Sequence, residues 1–252
     1  MGAALGSVAR SEAESCFTGG PDAMTSPTWE ETHRPLLLRI CALIGIVWVV
    51  QAFLSLGGPF FDSISSPRIL DWAKHHAATI TVSGFLEGES AALITIFILV
   101  LVSVAGRGLL ATIATCSMAA FLAINWVRAG AYFALADAGQ REQAGAGVVA
   151  LFSLVKTLTF ADGFVVGIAV TALCLLALRS RVLPLPIAVL GLLMGVYHLL
   201  EHPIQLIATQ TPGGFTGPVG VGLGLVWVLA VSATLLIRPI WNARLEPATT
   251  AA

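Results

Sequence analysis

Six stretches of mostly apolar residues constrain the fold of this chain more than any other feature of its sequence. A hydrocarbon core about 30 Å thick is crossed by about 20 residues of α-helix, and each stretch is long enough. Charged residues make up only 11% of the chain, whereas soluble domains carry about 25%. The sequence therefore predicts an all-α integral membrane bundle of six transmembrane helices, at about residues 36–57, 84–105, 109–136, 158–179, 183–207 and 217–238.

Polar segments divide the chain into a membrane domain and two tails. Residues 1–34 are predicted to be a flexible tail with a short helix near Trp29, 35–240 the six-helix domain, and 241–252 a second flexible tail. The N-terminal residues lack a basic stretch followed by an apolar one, so we expect no cleavable signal peptide. Residues 67–83 are amphipathic and are predicted to extend the second helix or to lie at the membrane interface. Residues 144–157 are predicted to extend the fourth helix, and a break near 159–164 would instead give a seventh span.

Lysine and arginine in the connecting segments predict the orientation, because cytoplasmic loops are enriched in both. One side of the bundle would hold seven of these residues and the other three; the seven are Arg34, Arg39, Arg107, Arg179, Arg181, Arg238 and Arg244, and the three are Arg68, Lys74 and Arg141. Both termini are therefore placed in the cytoplasm, with the protein in the cell membrane. A formal net charge of −1 gives no indication of nucleic-acid binding.

Polar residues in five of the predicted spans fall at one depth. His198 lies about 22 Å along the fifth helix from its cytoplasmic start, in the half near the outer leaflet, and counting along the other helices brings six more polar residues to a similar height: Gln51, Glu87, Asn125, Arg128, Lys156 and Asp162. Charged residues inside a membrane are costly and are functional candidates by default. We expect them to form a polar site facing the outer leaflet.

Helical periodicity indicates which polar residues share a face. On the fifth helix one stripe contains Gly191, Met194, Gly195, His198, Glu201, His202 and Gln205, and its two glycines permit close approach of another helix. On the third helix Asn125, Arg128 and Tyr132 align. Glu87 has a longer polar stripe than Glu89 and is the preferred acidic partner, paired with Arg128 or Lys156.

The segment His198–Leu–Leu–Glu201–His202 admits three interpretations. Histidines four residues apart on a helix can chelate one ion, with Glu201 and Glu87 as further ligands; the downstream acidic ligand of inverted zinc peptidases is missing, and haem ligation is a minor variant. The residues can instead perform acid–base chemistry, or pair structurally.

The other polar residues also admit structural interpretations. Asp162 can pair with Arg128 or cap a helix break before Gly163, and Lys156 can extend to the surface. His75 and His76 are expected at the interface. Trp126 and the other tryptophans are interpreted as packing and interfacial anchors, with an aromatic substrate pocket as the alternative.

The turn "RSRVLPLP" followed by the glycine-bearing "IAVLGLLMGV" as the fifth of six spans resembles uncharacterised bacterial six-helix integral membrane proteins that carry a domain of unknown function. This resemblance implies the architecture and no activity.

The leading hypothesis is a membrane-embedded enzyme that acts on a lipophilic small molecule or lipid by acid–base chemistry, such as isomerisation, cyclisation or hydrolysis. Glu201, Glu87, His198, His202 and Arg128 are the candidate catalytic residues, with Arg128 stabilising developing negative charge or tuning Glu87. The candidate substrate-binding residues are Gln51, Asn125, Trp126, Tyr132 and Gln205, and segment 209–218 would cover the pocket. We expect no cofactor, with a divalent metal as the alternative; a small transporter or lipid-binding protein and a non-catalytic scaffold are the other hypotheses.

Overall fold

The computed structural model describes residues 29–55, 69–141, 146–207 and 216–237. They form six helices: α1 (Trp29–Ser55), α2 (Ile69–Ala105), α3 (Leu109–Gln140), α4 (Ala146–Ser180), α5 (Leu185–Ile207) and α6 (Thr216–Ile237). The all-α fold is therefore confirmed for this part of the chain. Internal contacts divide the chain into two units, Met1–Arg34 and Pro35–Ala252. The predicted tails at 1–28 and 241–252, and the covering segment at 209–215, lie outside the described residues.

Within the described residues, five segments are long and apolar enough to cross a membrane: Pro35–Phe53, Asp71–Ala105, Leu109–Gln140, Gly147–Ser180 and Val219–Ile237. A shorter apolar segment, Leu185–Glu201, lies in α5. These lengths agree with a multi-pass membrane protein.

Two helices are longer than the apolar stretches from which they were predicted. Helix α2 begins at Ile69 and α4 at Ala146, so 67–83 and 144–157 do extend the second and fourth helices over their described residues. Helix α4 runs through 159–164 without interruption, and the break that would have made a seventh span is absent. One irregularity lies in α2, where His76 has non-helical angles (φ −119°, ψ 15°).

Two tight turns set the end of the bundle where α2 meets α3 and α4 meets α5. Gly106 and Gly108 have φ of 136° and 119°, values that residues other than glycine rarely adopt. Arg181 also has a positive φ, 56°, and the Val182 N–H donates to the Ala177 carbonyl (3.2 Å) to close the end of α4. The helices on either side of each turn are consequently antiparallel neighbours.

The buried residues form two clusters, one towards each end of the bundle. The larger includes Ala105, Ala111 and Leu183 next to the tight turns. The smaller joins α2, α3 and α4 at the opposite end, where Ala73 and Val148 are buried. Small residues permit the closest helix crossings: a β carbon on Gly139 of α3 would lie 2.8 Å from the Ala73 carbonyl carbon of α2. The polar residues lie between these packed ends.

Candidate functional site

Arg128 is the centre of a buried charge network. Its side chain is only 6% exposed and reaches two carboxylates from two other helices. Nη2 is paired with Oε1 of Glu87 on α2, and Nη1 lies 3.0 Å from Oδ2 of Asp162 on α4. Three neighbouring helices therefore meet at one guanidinium group, which is the pairing that the sequence predicted for Arg128.

Asn125, one turn before Arg128 on α3, holds this network in a fixed arrangement. Its Oδ1 accepts a hydrogen bond from Arg128 Nη2 (2.6 Å), and its Nδ2 donates to Asp162 Oδ1 (3.1 Å) and to the Phe121 carbonyl (2.9 Å). Tyr132, one turn after Arg128, forms a side-chain hydrogen bond with Glu87. Both side chains were predicted to bind substrate, whereas their described contacts are with the charge network itself.

The i, i+3, i+7 spacing of Asn125, Arg128 and Tyr132 explains why α3 presents all three to α2 and α4. Each is buried, at 2%, 5% and 7% exposure. Helix α2 can approach this face because the adjacent residues are small: a β carbon on Gly84 would lie 2.9 Å from Tyr132 Cβ, and one on Gly88 would meet Ala129. Local sequence thus supplies both the polar groups and the space for them.

A second acid–base pair lies on α5. His198 Nδ1 is 3.6 Å from Glu201 Oε2, with the two side chains 14% and 5% exposed. This separation exceeds hydrogen-bond length, and His198 Nδ1 is buried without a hydrogen-bond partner among the residues that the structure describes. Gly220 of α6 packs against the pair, because a β carbon there would lie 2.9 Å from His198 Cε1 and 3.3 Å from Glu201 Oε2. His198 is also near enough to Asp162 for an electrostatic interaction. This interaction links the pair on α5 electrostatically to the network around Arg128.

Several candidate residues have other positions. Gln51 of α1 donates through Nε2 to the Leu86 carbonyl (2.9 Å), beside Glu87 but through the backbone of α2. Trp126 is 63% exposed on the surface of α3 and does not join the network, because it is rotated about 160° from Arg128 around the helix axis. This position is consistent with an anchor and contradicts a role for Trp126 in lining the site.

The remaining basic and acidic candidates also lie apart from the network. Lys156 stacks over the Phe152 ring, with Nζ 4.9 Å from the ring centroid. Glu89 is exposed, which agrees with the choice of Glu87 rather than Glu89 as the acidic partner in the site. His75 and His76 are exposed and bond through Nδ1 to the carbonyls of Asp71 and Trp72.

The backbone of α5 includes His202 and Gln205, but their side chains lie outside the described residues. Among the described side chains, no group of three His, Cys, Asp or Glu residues is close enough together to hold a metal ion. The metal alternative that uses both histidines of α5 therefore stays a prediction.

Asp162 is the main site residue that the sequence reasoning left out of its candidates. It was interpreted either as a partner of Arg128 or as the cap of a helix break, and the continuous α4 excludes the cap. The signal that could have identified it is charge complementarity, since Arg128 is a buried cation with carboxylates from two neighbouring helices at the same predicted depth. Gly220 was also missed, because nothing in the sequence distinguishes it from Gly222 and Gly224 on the same helix.

Comparisons with protein-family models, with curated proteins and with solved structures find no match. The resemblance to bacterial six-helix membrane proteins accordingly remains a prediction, and any functional proposal depends on the geometry of the site alone.

Proposed function

We propose that this protein is a membrane-embedded enzyme that transfers protons to and from a lipophilic small molecule. The observation that carries the proposal is the binding of two carboxyl groups, Glu87 and Asp162, to Arg128 between the apolar packed ends. The His198–Glu201 pair of α5 interacts electrostatically with this network through Asp162. Acid–base catalysis requires groups that can give and accept a proton inside a site from which water is largely excluded. Among the described side chains, two carboxylates share the one guanidinium group of Arg128, which is one more than a simple ion pair requires.

Glu87 and Glu201 are the proposed proton-transferring groups. Glu87 is the most accessible of the three carboxyl groups, with 24% of its side chain exposed, and Glu201 has His198 beside it as a proton carrier. In an isomerisation, one carboxyl group gives a proton to one carbon of the substrate and the other takes a proton from a neighbouring carbon. The substrate keeps its composition. After the reaction, the carboxyl group that took a proton releases it and the one that gave a proton regains it, by exchange with solvent through His198.

Asp162 and Asn125 are proposed positioning residues, since both bond to Arg128 and neither needs to touch substrate. We further propose that the site faces the outer leaflet and that both termini are cytoplasmic, which is supported by the excess of basic residues at the α2–α3 and α4–α5 turns. Lipophilic substrates would then enter from the bilayer.

Deuterium transfer tests the proposal while the substrate is still unidentified. Membranes containing the protein are incubated in D₂O with a lipid extract of the native host, and the lipophilic compounds are analysed by mass spectrometry. We expect one compound class to gain carbon-bound deuterium only with the wild-type protein. Glu87→Gln and Glu201→Gln should each reduce this incorporation by about 10²–10⁴-fold, the usual contribution of a general acid or base.

Glu89→Gln is the matched control, because it removes the same group two residues away on an exposed face of α2. It should leave deuterium incorporation unchanged. The enzyme proposal fails if the folded wild-type protein gives no incorporation above membranes that lack it; lower thermal stability of the Glu87 and Glu201 variants would then indicate a scaffold.

A further inference from the structure

Four exposed arginines lie at the end of the bundle that carries the two tight turns. Arg107 is in the α2–α3 turn, Arg179 and Arg181 are at the α4–α5 turn, and Arg39 is in the first part of α1. We propose that these four side chains form a surface that binds the headgroups of anionic phospholipids in the adjacent leaflet, with the lipid phosphate as their counterion. The proposal does not rest on the enzyme activity proposed above.

Contacts between α1 and α2 place Arg39 at this end of the bundle. Cys41 Sγ donates to the Phe97 carbonyl (3.4 Å), and Gln51 Nε2 donates to the Leu86 carbonyl (2.9 Å). The two helices are therefore antiparallel, and Arg39 lies beyond Cys41 in the direction in which α2 ends. The turn after α2 and the turn after α4 both adjoin the larger core cluster, so all four arginines belong to the same end.

Protein groups do not compensate these four charges in the part of the chain that the structure describes. None of the four side chains forms an ion pair or a hydrogen bond there. Residues 35–61, 90–136 and 163–200, which include all four arginines, contain no Asp or Glu. Asp162 is the nearest acidic residue to Arg179 along α4, at about 25 Å along the helix. The opposite end differs, because Arg141 is paired there with Asp137 (2.8 Å).

The surroundings of Arg39 indicate that lipid supplies the missing counterion. Arg39 lies about 6 Å inside the apolar segment Pro35–Phe53, and its neighbours Leu36, Ile40 and Leu43 on α1 are exposed. In a multi-pass membrane protein, an exposed apolar surface of this kind faces acyl chains. An arginine at this depth extends its guanidinium group to the headgroup region, where a lipid phosphate can accept two parallel N–H donors.

The excess of positive charge favours lipids with a net negative charge over zwitterionic ones. Phosphatidylcholine carries a phosphate together with a choline ammonium group that the arginines repel, whereas phosphatidylglycerol carries the phosphate alone. Each basic residue next to an anionic membrane surface strengthens the attraction about fivefold. Contact with two of the four arginines is therefore sufficient for a preference of at least about tenfold.

Binding of short-chain lipids to the purified full-length protein tests the proposal. In a neutral detergent at low ionic strength, saturable binding of dioctanoyl phosphatidylglycerol, dioctanoyl phosphatidylcholine and inorganic phosphate is measured against protein-free micelles. The two lipids have the same acyl chains and differ in the charge of the headgroup. We expect phosphatidylglycerol to bind at least about tenfold more tightly than phosphatidylcholine, and inorganic phosphate to show no saturable binding over the same concentrations.

Arg39→Gln and Arg179→Gln should each weaken the binding of phosphatidylglycerol about fivefold, because each removes one unpaired charge. Arg141→Gln is the matched control, since Arg141 is an exposed arginine that already has a carboxylate partner. It should change the binding of phosphatidylglycerol by less than about twofold.

Equal affinities for the two lipids would overturn the proposal, and so would a loss with Arg141→Gln as large as the loss with Arg39→Gln and Arg179→Gln. Inorganic phosphate that binds as tightly as phosphatidylglycerol would also overturn it, because the arginines would then serve a soluble phosphate ligand. The comparison of the three ligands uses the wild-type protein, so a variant that does not fold leaves the test intact.

Discussion

Arg128 illustrates how a single buried cation can organise several helices. A guanidinium group has five N–H donors in a fixed plane, so it can engage partners on opposite sides at once. In this chain it binds Glu87 on one neighbouring helix, Asp162 on another, and Asn125 on its own. Removal of the cation leaves buried carboxylates without compensation, and this cost is much larger than the net stabilisation contributed by the intact network.

Replacement of Arg128 by leucine should therefore lower the free energy of unfolding by about 3–5 kcal/mol. Arg141→Leu, at the C-terminal cap of the same helix, is the control, because Arg141 forms an ion pair with Asp137 (2.8 Å) in which the side chains are 67% and 52% exposed. That exposed pair should contribute less than about 1 kcal/mol. Thermal and denaturant unfolding in detergent would measure both. Equal losses for the two variants would contradict the argument. A triple variant, Arg128→Leu/Glu87→Gln/Asp162→Asn, removes the charges of the two carboxylates as well, and its failure to recover most of the lost stability would also contradict it.

The pairing of this network was partly predictable at the level of single residues. An arginine inside an apolar span requires a carboxylate, and depth counting placed Glu87 and Asp162 at the height of Arg128. The bridging role of Asn125 was not predictable, because an amide can bind a ligand or a neighbour equally well until the neighbour's position is known. The exposed position of Trp126 likewise depends on which face of α3 meets α2 and α4.

At the level of helices, glycine determines how closely α2 and α3 pack at their end of the bundle. A β carbon on Gly139 would lie 2.8 Å from the Ala73 carbonyl carbon and 2.9 Å from its oxygen. Backbone atoms cannot rotate away as the end of a side chain can. An added methyl group must therefore separate the two helices or bend one of them.

Gly139→Ala should accordingly lower the free energy of unfolding by about 1–3 kcal/mol, the usual cost of overpacking. Gly130→Ala provides the matched control, since a β carbon on Gly130 meets no atom within 4 Å. Alanine is the better helix former, so this variant should be neutral or more stable by up to about 1 kcal/mol. Thermal unfolding of the two proteins in the same detergent measures the difference. The close crossing would be refuted by a Gly139→Ala protein as stable as the Gly130→Ala protein.

The existence of the helices was predictable because each contains an apolar stretch of sufficient length. Their full extents were harder to predict, since a hydropathy window detects only the part that is apolar on all sides. The first half of α2 carries Asp71, Lys74, His75 and His76, and its helical conformation is favoured by packing of Ala73, Ala77 and Ile80 in the smaller core cluster. The continuity of α4 through Asp162 follows from the tertiary ion pair, which supplies the carboxylate with a partner and removes any need for a cap.

At the level of the whole molecule, the two core clusters distinguish the ends of the bundle. The turns at Gly106–Gly108 and at Arg181 adjoin the larger cluster, and the end of α3 and start of α4 adjoin the smaller one. Since α3 is apolar over Leu109–Gln140, these ends should lie on opposite sides of the membrane. The positive-inside rule predicts that the turns with Arg107, Arg179 and Arg181 are cytoplasmic.

Single cysteines introduced on a background in which the four native cysteines are replaced should reveal this orientation. Arg107→Cys and Arg179→Cys should react with a membrane-impermeant maleimide only from the cytoplasmic side of sealed vesicles, and Arg141→Cys only from the opposite side, because all three positions are exposed at helix ends. Labelling of Arg107→Cys and Arg141→Cys from one side would refute the crossing by α3. The exact reverse of the expected pattern would keep the fold and the charge network. It would, however, place the proposed proton-transferring site in the cytoplasmic leaflet, where a lipophilic substrate made inside the cell could reach it without crossing the bilayer.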